Sequence, residues 1–160
     1  MLEIATIGVY GFTADLFLAA LRDADVGLLL DVRQRRGVRG SEYAWANSRR
    51  LQAALAGAGI GYEHHRALAP TTELRRLQYR EDARAGVGKR SRSELAPGYV
   101  TGYTREVLDR VDLARFAAEL PRDTRSALLC VERDPEACHR SLIAERLASE
   151  HGANVTHIRP

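Results

Sequence analysis

The residue types that can do chemistry gather in one stretch, ALLCVERDPEACHRSLIAERLASEHG, from Ala127 to Gly152. An apolar strand runs into an acidic, proline-containing turn and then into a helix. Asp134 suits the N-cap and Pro135 the first helical position, while Gly152 suits the C-terminal stop. Cys138, His139 and Arg140 then fall in the opening turn, where the backbone dipole is positive and cations are disfavoured. Two compensations fit. One is structural: Arg140 pairs with Glu136 four residues earlier, contributing about 0.2–0.5 kcal/mol, or forms a buried salt bridge with Glu132 or Asp31. The other is functional: the free N–H groups, Arg140 and His139 together hold an anion.

The same position should depress the pKa of the Cys138 thiol, and Arg140 and His139 would depress it further. That permits nucleophilic or redox use. Cys130, inside the apolar run, reads as a small core hydrophobe. A zinc site from Cys130, Cys138, His139 and a strand-end histidine is conceivable, but the C-x₇-C-H spacing is not a recognised ligand pattern, so the sequence assigns no metal, and it identifies no cofactor. A Cys130–Cys138 disulfide would need the intervening loop to bring the two Cα atoms within about 7 Å.

These groups need a scaffold. EIATIGVY (Glu3–Tyr10), VGLLLDVR (Val26–Arg33), IGYEHH (Ile60–His65), SALLCVE (Ser126–Glu132) and NVTHI (Asn154–Ile158) read as strands. The continuous apolar run of the second indicates a strand covered on both faces. Between them lie helical segments. One is capped by Thr13 and striped by Phe17, Leu18 and Leu21; one starts at Ser48; one starts at Thr72; one spans residues 99–120 with a break near Asp112. Residues 83–98 have no apolar period and carry small and basic residues, which predicts a mobile surface loop.

Alternating strands and helices predict an α/β, single-domain, three-layer fold over residues 1–160, with a mostly parallel sheet of about five strands. In such folds ligands sit beyond the carboxyl ends of the strands. That edge collects Gly8 and Tyr10, Asp31 and Arg33, His65 (or its neighbour His64, on the other face), and Glu132. The helix stripe of Ile143, Ala144 and Leu147 has His139 and Arg140 at its top, so both should lean over the strand ends.

Composition narrows the setting. At 45% hydrophobic and 28% charged, the chain matches ordinary globular proteins, and no apolar run is long enough for a bilayer. Only two cysteines and no signal-peptide pattern predict a cytoplasmic protein with free thiols. The net charge is only +3, yet the basic residues are arginines apart from Lys89. Arg33, Arg35, Arg36 and Arg39 cluster, as do Arg75, Arg76, Arg80, Arg84, Arg90 and Arg92, which favours an anionic partner. Tyr43 and Trp45 in the Arg/Gly loop mix aromatics with cations, as nucleic-acid grooves and ordinary lid loops both do.

TIGVYG (Thr6–Gly11), DVRQRRGVRGSEYAWAN (Asp31–Asn47), LAPT (Leu68–Thr71) and CVERDPEACHRSLIAERL (Cys130–Leu147) resemble the bacterial family catalogued as domain of unknown function 488. The resemblance implies a small cytoplasmic α/β protein and no established activity. The Arg-rich loop after Asp31 departs from the shorter Pro/Ser/Arg loop of many members. A weaker similarity to rhodanese and cysteine-phosphatase domains rests on the Asp-Val-Arg strand end and on Cys130 leading to Arg140. With Asp134, Pro135 and Glu136 intervening, that loop is too long and too negative for their tight anion cradle.

Two functions follow as expectations. In the first, a strand-end pocket binds a phosphate-bearing molecule, a nucleotide or nucleic-acid fragment. Gly8, Tyr10, Arg33, His65 and Arg140 would hold it, Asp31, Glu132 and His139 would be acid/base groups, and Cys138 a nucleophile. In the second, the arginine loops bind a nucleic-acid backbone without chemistry. Neither implies a membrane partner, and the sequence leaves both the reaction and the oligomeric state open.

Overall fold

The apolar runs become strands, and their partners explain their composition. In the computed structural model, which describes residues 1–160, five strands form one sheet in the order β3-β2-β4-β1-β5. They are β1 (Glu3–Ile7), β2 (Val26–Asp31), β3 (Gly61–His64), β4 (Arg125–Leu129) and β5 (Asn154–Ile158). Every pairing is parallel. The fold is therefore α/β, as the alternation of elements predicts. The central strands β1, β2 and β4 carry Ile4, Ile7, Leu29, Leu30, Leu128 and Leu129 with no solvent exposure. The edge strands β3 and β5 carry only exposed and half-buried residues, being less covered than the central ones.

Six α-helices connect them: α1 (Ala14–Asp23), α2 (Ser48–Gly57), α3 (Thr72–Ala85), α4 (Pro97–Glu106), α5 (Leu113–Glu119) and α6 (His139–His151). Right-handed crossovers require α1 and α2 on one face and α3 to α6 on the other. The packing agrees: α1 lies on β2 and α2 on β3, whereas α6 lies on β1, β4 and β5 and is flanked by α4 and α5. The layers share one hydrophobic cluster of 35 buried residues.

Local signals set most helix ends. The Thr13 hydroxyl accepts from Leu16 N, and the Asp112 carboxylate accepts from Arg115 N. α3 is capped by Thr71 rather than Thr72, through Leu74 N at 3.2 Å. The largest difference is at the chemical stretch. Pro135–Ala137 forms a separate 3₁₀ turn, and Cys138, extended at φ −142°, is the N-cap of α6. Cys138 thus precedes the helix instead of lying within its first turn.

Candidate functional site

A parallel sheet opens a crevice where neighbouring strands send their chains in opposite directions. Here β2 continues toward β3 and β4 toward β5, so the switch falls between adjacent strands β2 and β4. A cleft enclosing about 480 Å³ of space, part of it open to solvent, lies at that point. Its floor is Cys130, Val131 and Glu132, which follow β4, together with Cys138 and His139. One wall is Arg33 to Arg35; the other comes from α3 and from the loop that follows it.

His139 is fixed by a bond across the switch. Its Nε2 stands 2.9 Å from the Val32 carbonyl oxygen, and a carbonyl only accepts, so Nε2 carries a proton. The other ring nitrogen, Nδ1, therefore faces two sulfurs: Cys130 Sγ and Cys138 Sγ are each 3.7 Å away. Both cysteines are free and buried. Burial raises the Cys130 thiol well above its ordinary pKa. Burial acts the same way on Cys138, but the Cys130 thiol bonded to it, then the charges of His139 and Arg140, outweigh it and hold Cys138 well below the usual range. His139 moves the opposite way: burial lowers it, and the facing Cys138 sulfur more than offsets that. A thiolate–imidazolium pair with a second sulfur alongside can serve as a nucleophile and acid, or as a donor set for a metal. Cys130 is thus part of the site and not only a core residue.

Glu132 and Asp82 are bridged by one guanidinium. Arg92 donates from Nη2 to Glu132 Oε1 at 2.7 Å, from Nη1 to Asp82 Oδ2 at 2.6 Å, and from Nε to the Ala137 carbonyl at 3.2 Å. Gln78 adds a second tie, donating to Asp82 and accepting from Ala96 N at 2.9 Å. The segment 83–98 is therefore not the free loop its composition suggests. Its first residues complete α3, its last begin α4, and the middle is pinned to the site. Glu132 Oε2 has no hydrogen-bond partner. Burial raises the Glu132 carboxyl, Cys138 adds to the rise, and Lys89 and Arg92 oppose it.

Cations without acidic partners line the mouth. Lys89 makes no salt bridge; burial lowers its pKa, but the charge of Glu132 more than offsets this, so the ammonium stays charged. Arg75 donates only to neutral groups, Gln34 Oε1 at 2.8 Å and the Tyr79 hydroxyl at 3.0 Å. Leu95, Tyr79 and Tyr99 supply an apolar wall.

The remaining expected site residues lie elsewhere or are already engaged. The Asp31 carboxylate accepts from Arg33 Nε at 2.9 Å, Arg33 Nη2 at 2.8 Å, Arg33 N at 3.2 Å and the Tyr62 hydroxyl at 2.6 Å. Four donors fill its acceptor capacity, so Asp31 is a clamp and not an acid or base of the cleft. Arg33 lines the cleft, but its third guanidinium nitrogen binds the Ala46 carbonyl at 2.9 Å, so each of its three nitrogens already has a partner within the fold. Arg140 is fully buried away from the cleft, donating to the carbonyls of Glu132 at 2.7 Å and Arg133 at 3.1 Å. It forms no salt bridge; Glu136 pairs with Arg159 instead. The charge of Arg140 therefore fastens the turn.

Gly8 serves that same turn: a Cβ there would overlap the Glu132 carbonyl oxygen. Tyr10 packs on Tyr43 with Arg90 over both rings at 5.2 Å, outside the cleft. His65 binds Glu63 at 2.8 Å and meets Phe116 edge-on, while His64 Nε2 donates to the Arg33 carbonyl at 2.9 Å. Neither histidine lines the cleft. Glu132, Cys138 and His139 do converge there, joined by Lys89, Arg75, Arg92 and Cys130. The sequence carried one pointer to Lys89, as the only lysine among 24 lysine and arginine residues.

No helix is long and apolar enough to cross a membrane. A family model described as Domain of unknown function DUF488 matches residues 13–147. No curated protein and no solved structure matches the chain.

Proposed function

The chain belongs to the DUF488 family, whose description names no activity, and from the cleft itself we propose that it binds a phosphate-bearing small molecule of the nucleotide class. The observation that carries this is the pairing imbalance at the cleft: Lys89 and Arg75 line it and neither forms a salt bridge, Glu132 acting on Lys89 through its charge without a direct contact. An anion held between them replaces water on two charged donors and gains charge-assisted hydrogen bonds. The apolar wall of Leu95, Tyr79 and Tyr99 accommodates the uncharged part of the ligand. Glu132, Cys138 and His139, on the floor, are the groups that would act on it. Two thiols kept reduced and buried together suit a reducing compartment, so we assign the protein to the cytoplasm.

The nucleic-acid module fits less well. Two of the arginines that it would draw on are engaged within the fold, Arg33 with Asp31 and Ala46 and Arg90 with Glu42 and the Arg39 carbonyl.

A thermal-shift panel of inorganic phosphate, nucleoside mono- and triphosphates and a short oligonucleotide tests the reading. A ligand at 100 times its Kd adds about 2.7 kcal/mol of stability. Stabilisation by a nucleotide that is lost in Arg75→Ala supports the cleft. Stabilisation by the oligonucleotide alone, steeply salt-dependent and unchanged in Arg75→Ala, supports the module instead.

A further inference from the structure

We propose that Cys130, Cys138 and His139 form a binding site for a thiophilic divalent metal ion, zinc by its chemistry, with its remaining coordination position open toward the cleft. Three donor atoms, Cys130 Sγ, Cys138 Sγ and His139 Nδ1, lie within 4.8 Å of one another. The two sulfur-to-nitrogen separations are 3.7 Å. A tetrahedral zinc with bonds of about 2.3 Å to sulfur and about 2.05 Å to nitrogen sets the same edge at about 3.6 Å. The third edge, sulfur to sulfur, falls within the same 4.8 Å limit.

The imidazole carries an independent mark. A histidine that ligates a metal through one ring nitrogen typically donates its other N–H to a carbonyl or carboxylate, which fixes the tautomer and the ring plane. His139 Nε2 donates to the Val32 carbonyl in this way, leaving only Nδ1 for the sulfurs. Two thiolates and one imidazole select zinc over magnesium or calcium, which take oxygen ligands. Binding displaces the Cys130 thiol proton and the His139 Nδ1 proton to solvent. The spacing argues against the site in the sequence, because the two cysteines are brought together by a turn of 3₁₀ geometry that no short ligand motif encodes.

The proposal does not depend on anion binding. Cobalt(II) titration of the metal-free full-length protein tests it. One equivalent should give the intense visible bands of four-coordinate cobalt and a near-ultraviolet thiolate-to-cobalt band. Zinc, measured against a chromophoric chelator, should displace the cobalt at the same stoichiometry. Cys138→Ser and His139→Gln should each weaken binding more than about 100-fold, beyond the 10–100-fold typical of outer-shell changes. Cys130→Ser, the mildest change, guards against loss of folding, and circular dichroism reports the fold in each variant. Lys89→Met should leave the stoichiometry at one, separating this site from the anion reading. Absence of the thiolate-to-cobalt band, or zinc affinity equal in wild type and a folded Cys130→Ser/Cys138→Ser variant, would overturn the proposal.

Discussion

His139 Nε2 bonds the carbonyl oxygen of Val32 at 2.9 Å, linking the first residue of α6 to the residue that follows β2. The bond spans the switch point of the sheet and aims Nδ1 at the two sulfurs. It predicts a fixed proton position. In ¹⁵N-histidine NMR of the metal-free protein, one imidazole keeps Nε2 protonated from mildly acidic to mildly alkaline pH, and only its Nδ1 changes state. That signal should vanish in His139→Gln.

Arg140 lies under the site as a fastener. Each hydrogen bond to a charged group contributes about 1.5–3 kcal/mol, and Arg140 donates two, to the carbonyls of Glu132 and Arg133. Arg140→Met should therefore cost about 3 kcal/mol, which lowers the Tm by roughly 6–12 °C. Differential scanning calorimetry measures this; an unchanged Tm would refute the assignment.

Gly8 acts on the same turn from the β1 side. A methyl group at this position overlaps the Glu132 carbonyl that Arg140 holds. Gly8→Ala should destabilise by about 1–3 kcal/mol, the range for overpacking. In a double cycle with Arg140→Met the two losses should be less than additive, since both displace one carbonyl.

Arg92 joins the loop, α3 and the cleft floor through Asp82 and Glu132. Removing one partner of a buried ion pair costs about 3–5 kcal/mol because the other charge stays buried. Arg92→Gln strands two carboxylates, so chemical denaturation should show a loss at the upper end of that range. Limited proteolysis should then cut between residues 86 and 96 before elsewhere.

Acid sensitivity has an identifiable source in His157, whose ring Nδ1 lies 2.7 Å from the Thr6 hydroxyl. Burial, then the charges of Arg159 and Arg140, lower its pKa in the folded protein. The unfolded chain therefore binds the proton more readily, and stability rises with pH across this interval. The contribution is present above the unfolded value of about 6.5 and is lost as pH falls through the lower folded value. The Tm of His157→Gln should depend less on pH in that interval than the wild-type Tm does.

Sequence periodicity carried the parallel α/β fold because buried parallel strands such as VGLLLD announce themselves as unbroken apolar runs. It also placed Glu132, Cys138 and His139 on one edge, since all follow β4. It misjudged Asp31, Arg33 and Arg140, because a charge near a strand end looks the same whether it meets a ligand or a neighbour. Only the coordinates show that Arg33 closes on Asp31 and that Arg140 closes on backbone carbonyls. Lys89 and Arg92 escaped for the opposite reason: their segment lacks any apolar period, and its order comes from tertiary ion pairs with Asp82 and Glu132.

The central claim is that the cleft between β2 and β4 receives an anion through Lys89 and Arg75. Isothermal titration of wild-type protein and of Lys89→Met with the best-stabilising nucleotide tests it most directly. Saturable one-to-one binding is expected in wild type, weakened at least about tenfold, or about 1.4 kcal/mol, in a variant whose Tm is unchanged. Equal affinity in wild type and in both Lys89→Met and Arg75→Ala, or no binding of any phosphate-bearing ligand, would contradict it.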